Sequence, residues 1–168
     1  MLAVVRESIF SIAAGWLDGA AVLDLFAGAG SLGLEACSRG ARSVRAFETG
    51  REARAALDAN IATLDVADRV ELVARDALDP WAWGQGPFDL VFCDPPFPLV
   101  RDPGGRKRVV AALAALEAGP LAREGLIVLH VPRALDLEAE LPDSLARTVR
   151  EHGDQALWYL QRREDAED

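Results

Sequence analysis

Apolar positions along this chain fall into two alternating rhythms. Short continuous apolar runs, each of strand length, recur at 21–26, 43–48, 69–74, 88–93 and 126–130. Between them the apolar residues take helical spacing. Residues 3–17 set Val5, Ile9, Ile12, Ala13 and Trp16 on one stripe, and residues 31–39 close at Gly40. Residues 51–64 turn Leu57, Ile61 and Leu64 inward, and an alanine-rich helix is expected over 106–118, after a break at Pro103-Gly104-Gly105. Residues 145–151 and 155–161 read as two last strands, paired antiparallel about Gly153-Asp154. Strand–helix alternation of this kind builds an open, mostly parallel sheet. No repeat or linker interrupts it, so residues 1–168 are expected to form one domain, with Glu164-Asp165-Ala166-Glu167-Asp168 a frayed acidic end.

The first strand runs into Asp24-Leu25-Phe26-Ala27-Gly28-Ala29-Gly30-Ser31-Leu32-Gly33, a tight turn that restarts as a helix. Gly28 and Gly30 leave room for a ligand to approach the backbone, and Gly33 lets helix and strand pack closely. Two cofactors fit. The glycine spacing matches a dinucleotide fingerprint, but a carboxylate at Asp24 repels a diphosphate. The same acid suits the ammonium group of S-adenosylmethionine. Ligands on such sheets bind at the carboxyl ends of the strands, where Asp24, Glu48, Asp76 and Asp94 all fall. Glu48, 18 residues after Gly30, is placed for ribose hydroxyls, and Asp76 with Ala77 for an adenine amino group. Trp81 and Trp83 either wall an adenine pocket or cover the sheet edge.

Asp94-Pro95-Pro96-Phe97 separates the cofactor readings. The prolines fix the backbone after a buried strand, so Asp94 and the Pro95 carbonyl can both accept from one exocyclic amine. Phe97 can stack on a base taken out of its own stack. A dehydrogenase has no use for this arrangement, and the methyl-donor reading follows.

Taken together, these residues resemble class I S-adenosylmethionine-dependent methyltransferases, and within them the bacterial 16S rRNA guanine-N2 methyltransferase family. The resemblance rests on Val5-Arg6-Glu7-Ser8-Ile9-Phe10, Leu23 to Gly28, Leu32-Gly33-Leu34-Glu35-Ala36, Ser38-Arg39-Gly40-Ala41, Glu48, Asn60, Asp76-Ala77 and Phe88 to Phe97. It implies a Rossmann-like α/β fold, a mostly parallel seven-stranded sheet with an antiparallel C-terminal strand and helices on both faces. It places the turn of Asp24, Phe26, Ala27, Gly28 and Gly30 on the donor's methionine end. Glu48 then lies on the ribose, Asp76 and Ala77 on the adenine, Asp94 to Phe97 on the target base, and Arg6 near the entrance. Family members begin with a basic segment containing Arg-Pro-Thr; this chain opens Met1-Leu2-Ala3-Val4 and is expected to lack it. It also carries His130 where the family tends to have Glu. Two other readings share the loop: an adenine-N6 DNA methyltransferase, and a methyltransferase-like module that binds donor without turnover.

Composition narrows the partners. The net charge of -9 disfavours broad electrostatic binding to nucleic acid, yet Arg101, Arg106, Lys107 and Arg108 follow the Asp94 loop as a local basic patch suited to phosphate. The expected substrate is rRNA or the small ribosomal subunit. Cys37 and Cys93 read as reduced core thiols, and with His130 and His152 they give no metal set. No apolar run has the length of a membrane span and the N-terminus lacks a signal-peptide pattern, so a cytoplasmic location is expected; no second apolar surface is evident, so a monomer is expected.

Overall fold

The computed structural model describes residues 1–163; the predicted acidic tail, 164–168, lies outside the described residues. Its strands are β1 (Ala21–Asp24), β2 (Ser43–Phe47), β3 (Val70–Val73), β4 (Phe88–Cys93), β5 (Leu121–Pro132), β6 (Leu145–His152) and β7 (Gln155–Arg162). They form a single sheet in the order β3-β2-β1-β4-β5-β7-β6. The pairings from β3 through β5 are parallel, and β7 is antiparallel to both of its neighbours. The chain therefore starts at the centre, winds outward through β2 and β3, and returns to β4 to build the other half. The crevice opened by this reversal lies at the carboxyl ends of β1 and β4, where such sheets bind ligands.

Side-chain alternation along the strands sends apolar residues to two cores. Val22, Leu90, Phe92 and Val128 pack with α1 (Ala3–Ala13), α2 (Ser31–Ser38) and α3 (Arg51–Thr63) on one face. Leu23, Val91, Ile127 and Leu129 pack with Val109, Leu113 and Leu116 on the other. Of the helix stripe read from the sequence, Val5, Ile9 and Ala13 are buried in the first core and Ile12 and Trp16 pack partly against it; Phe10, outside that stripe, is buried as well, edge-on to Phe92 with ring centroids 5.8 Å apart.

Three local expectations are corrected. Leu64 is 55% exposed, because α3 ends at Thr63 and Asp65 takes a left-handed φ of 53°; Val66 turns inward after it. Pro103-Gly104-Gly105 does not break the chain but opens a helix, since proline is tolerated at a first helical position. A short helix, α4 (Phe97–Arg101), precedes it, and α5 (Pro103–Ala118) begins where the Asp102 carboxylate accepts the Gly105 N–H at 2.7 Å. Gly105 has no Cβ because the Leu99 carbonyl of α4 occupies that space. Finally, β5 starts five residues before the expected run, with a register shift against Phe88 and Leu90 of β4. In the loop before β4, Trp83 is buried and its Nε1 donates to the Ala77 carbonyl at 2.8 Å, while Trp81 is 91% exposed.

Candidate active site

The glycine turn is held by backbone hydrogen bonds and by two acids, Glu48 and Asp24. Ala27 N–H donates to the Phe47 carbonyl at 2.9 Å, and Gly30 N–H to the Ala27 carbonyl at 2.8 Å. Gly28 has φ 56° and a Cβ there would meet open space, as expected of a residue facing a ligand. Gly30 differs from its expectation: at φ 95°, the place of its Cβ is filled by Leu57 and Leu34, so its freedom serves packing rather than a ligand. Gly33 does what helix–strand contact requires; a Cβ would lie 2.9 Å from Val44 Cγ1.

Glu48 straddles the turn. Its Oε2 accepts the Gly28 N–H at 2.9 Å and its Oε1 accepts the Gly50 N–H at 2.7 Å. Asp24 is fully buried behind it: Oδ2 accepts the Gly33 N–H at 3.1 Å, and Oδ1 has no hydrogen-bond partner among the described residues. Burial, reinforced by the nearby Asp94 charge, pushes the Asp24 carboxyl up to about 7.

The carboxyl ends of β1, β2, β4 and β5 enclose a cavity of about 630 Å³. Phe26, Gly28, Glu48 and Thr49 line one side, and Asp94, Pro95, Pro96, Phe97 and Leu99 the other. His130 and Gln155 close the wall between them, and Met1 lies at its edge. His130 is 4% exposed; its Nδ1 lies 2.7 Å from Asp94 Oδ1 and its Nε2 lies 2.8 Å from Gln155 Oε1. Its ring also packs edge-on to Phe97, with centroids 5.3 Å apart.

Phe26, Gly28, Glu48 and Asp94 to Phe97 are thus brought together, and Asp24 and Ala27 lie just behind the lining. Asp76 and Ala77 are not in it. Asp76 accepts the Leu78 N–H and pairs with Arg108 at 2.5 Å, while Ala77 is buried in the core beneath Trp83. Neither tryptophan reaches this cavity; Trp83 lines a second one, of about 480 Å³, with Pro87 and Pro120 beside the first residues of β4 and β5. The expected basic patch divides as well. Arg101 lies 5.7 Å from the Phe97 ring and Lys107 is exposed, whereas Arg106 pairs with Glu140 at 3.0 Å and Arg108 with Asp76. Arg6 is exposed on α1. Cys37 and Cys93 are both free and buried, and burial pushes the Cys93 thiol far above its ordinary range.

Sequence reading left out Gln155, Thr49 and Leu99, and gave His130 no site role. A signal for His130 existed: it follows the fifth apolar run as Asp94 follows the fourth, and in register Cys93 faces Leu129. Gln155 carried none, because its contribution depends on β7 running backwards.

Residues 1–161 match the model of the family described as conserved hypothetical protein 95. The Bacillus subtilis protein named "Putative rRNA methyltransferase YlbH" is 32% identical over 150 residues, covering 86% of this chain and 75% of that one. The Escherichia coli protein named "Ribosomal RNA small subunit methyltransferase D" is 41% identical over 93 residues, 55% of this chain and just under half, 46%, of its own length. A solved structure titled "Putative methyltransferase yhhF from Escherichia coli" superposes with a TM-score of 0.81 at 31% identity, covering 98% of this chain and 88% of that one. The chain belongs to the conserved hypothetical protein 95 family and carries its Rossmann-like methyltransferase fold.

Proposed function

We propose that this protein transfers a methyl group from S-adenosylmethionine to an exocyclic amine of an RNA base, with guanine N2 of small-subunit rRNA as the target. The observation that carries the reading is one cavity with the glycine turn and Glu48 on one side and Asp94-Pro95-Pro96-Phe97 on the other. The names borne by the Bacillus subtilis and Escherichia coli relatives support an rRNA substrate.

The residues fit such a donor on two counts. The buried Asp24 Oδ1 lacks a hydrogen-bond partner among the described residues and is suited to an ammonium group, and Gly28 leaves open space beside Glu48. Glu48 keeps lone pairs for ribose hydroxyls while its contacts with Gly28 and Gly50 hold the carboxylate still. When bound, the donor supplies an electrophilic methyl group on a sulfonium. On the acceptor side, Asp94 and the Pro95 carbonyl each take one N–H of the amine, turning its lone pair toward the methyl group. Phe97 stacks on the flipped base, and the Arg101 guanidinium near that ring is placed for a flanking phosphate. Asp94 receives the proton that the methylated amine gives up. Most of the acceleration on this account is positioning.

The test is tritium transfer from methyl-labelled donor to naked small-subunit rRNA and to assembled subunits, followed by nucleoside analysis. Label in N2-methylguanosine is expected. Label in N6-methyladenosine moves the target to adenine, and no label in any nucleic acid overturns the reading.

A further inference from the structure

We infer that His130 and Gln155 are positioning residues for Asp94, anchoring one carboxylate oxygen so that the other is presented to the target amine. The inference rests on the proposed function above. It starts from strand geometry. Leu129 faces Cys93 across β4 and β5, so the next residues, His130 and Asp94, emerge side by side. Gln155 opens β7, which runs against β5 with Gln155 opposite Pro132, and reaches the same level from the far side.

Contact chemistry then fixes the roles. An ionised carboxylate only accepts, so His130 donates from Nδ1 to Asp94 Oδ1 across 2.7 Å. That leaves Asp94 Oδ2 as the oxygen available to the cavity. His130 Nε2 meets the Gln155 carboxamide, which offers its oxygen to a protonated nitrogen or, turned over, its NH₂ to a bare one. The ring is therefore fully partnered in either state, a requirement for a polar group this deeply buried. The same imidazole packs against Phe97. One side chain thus sets the relative place of the group that takes the amine and the ring that stacks on the base. Without it, Asp94 loses the contact that fixes one of its carboxylate oxygens.

Full-length His130→Phe keeps the ring packing and removes the donor; His130→Gln restores a donor. Expected for His130→Phe is a loss in kcat on the order of 10²-fold, with KM for RNA and affinity for S-adenosylhomocysteine almost unchanged. His130→Gln recovers much of that loss. In an Asp94→Asn background, His130→Phe costs nothing further, since it acts through Asp94. An unchanged kcat, a loss confined to donor affinity, or full additivity with Asp94→Asn overturns the inference and leaves the methyltransferase reading standing. A wild-type protein that methylates no RNA overturns both. Independently of turnover, ¹⁵N NMR of the two histidines is expected to show a His130 Nδ1–H resonance that moves in Asp94→Asn while His152 does not. A stationary resonance overturns the inference alone.

Discussion

Asp24 Oδ2 accepts the Gly33 backbone N–H at 3.1 Å, so the last residue of β1 grips the first turn of α2 and encloses the glycine loop between them. The grip leaves a carboxyl group fully buried, with its other oxygen unpartnered among the described residues.

That burial makes stability depend on pH. The folded Asp24 carboxyl holds its proton up to about 7, against 3.8 for the free group. Because the raised folded value means that protonation favours the folded state, this contribution is complete below the unfolded value and is lost as pH rises through about 7. Asp24→Asn removes the dependence. Thermal melts of the ligand-free proteins are expected to show the wild type losing ground to the variant between pH 4 and 8, by a few kcal/mol in all. Parallel curves would refute it.

Donor binding draws on the same group. An ammonium ion beside Oδ1 favours the ionised carboxyl, so binding of S-adenosylhomocysteine near pH 6 is expected to release a proton. Calorimetry in two buffers of different ionisation enthalpy measures that release directly. It is expected to fade by about pH 8.5 and to be missing from Asp24→Asn.

Two glycines in the same turn separate packing from binding. Gly33→Ala drives a methyl group against Val44 and Asp24, an overpacking cost of about 1–3 kcal/mol that urea denaturation reads. Gly28→Ala meets no atom; its cost is backbone strain at φ 56° and a methyl group at the cavity. Its larger effect is expected in S-adenosylhomocysteine affinity. If both variants lose stability alone, Gly28 has no part in the site.

The basic residues after the Asp94 loop divide in the same manner. Arg101→Ala and Lys107→Ala are expected to weaken RNA binding and to lower its salt dependence by about one unit each. Arg106→Ala, whose side chain is spent on Glu140, leaves that slope unchanged. Filter binding across a salt series distinguishes them.

Much of this arrangement is legible in the chain. Apolar runs and glycines mark the strands and the first turn, because burial and backbone sterics act locally. One rule, an acid at a strand's carboxyl end, reaches Asp24, Glu48 and Asp94, and it also picks Asp76, which pairs with Arg108 outside the cavity. The misses have physical causes. Leu64 keeps the helical spacing but falls beyond the last turn, where the backbone changes hand at Asp65. Pro103 reads as a breaker because its tolerance at a helix start depends on Asp102 serving as cap. Arg106 and Arg108 read as free cations because Glu140 and Asp76, 34 and 32 residues away, are not visible as partners in a linear pattern. Gly30 looked like a ligand cradle because Leu57, which fills it, comes from a different helix.

β7 is the strand that runs against both its neighbours, and it brings its first residue, Gln155, to the end of the sheet where the parallel strands finish. The wall of the cavity is therefore lined by a residue of a strand that runs back along β5, with Gln155 opposite Pro132. During synthesis, the glycine turn and the Asp94 loop emerge well before Gln155 exists. Pairing between distant parts of a chain carries a loop-closure entropy cost before its contacts offset it. The pocket is thus completed only where the β6–β7 hairpin pairs with β5.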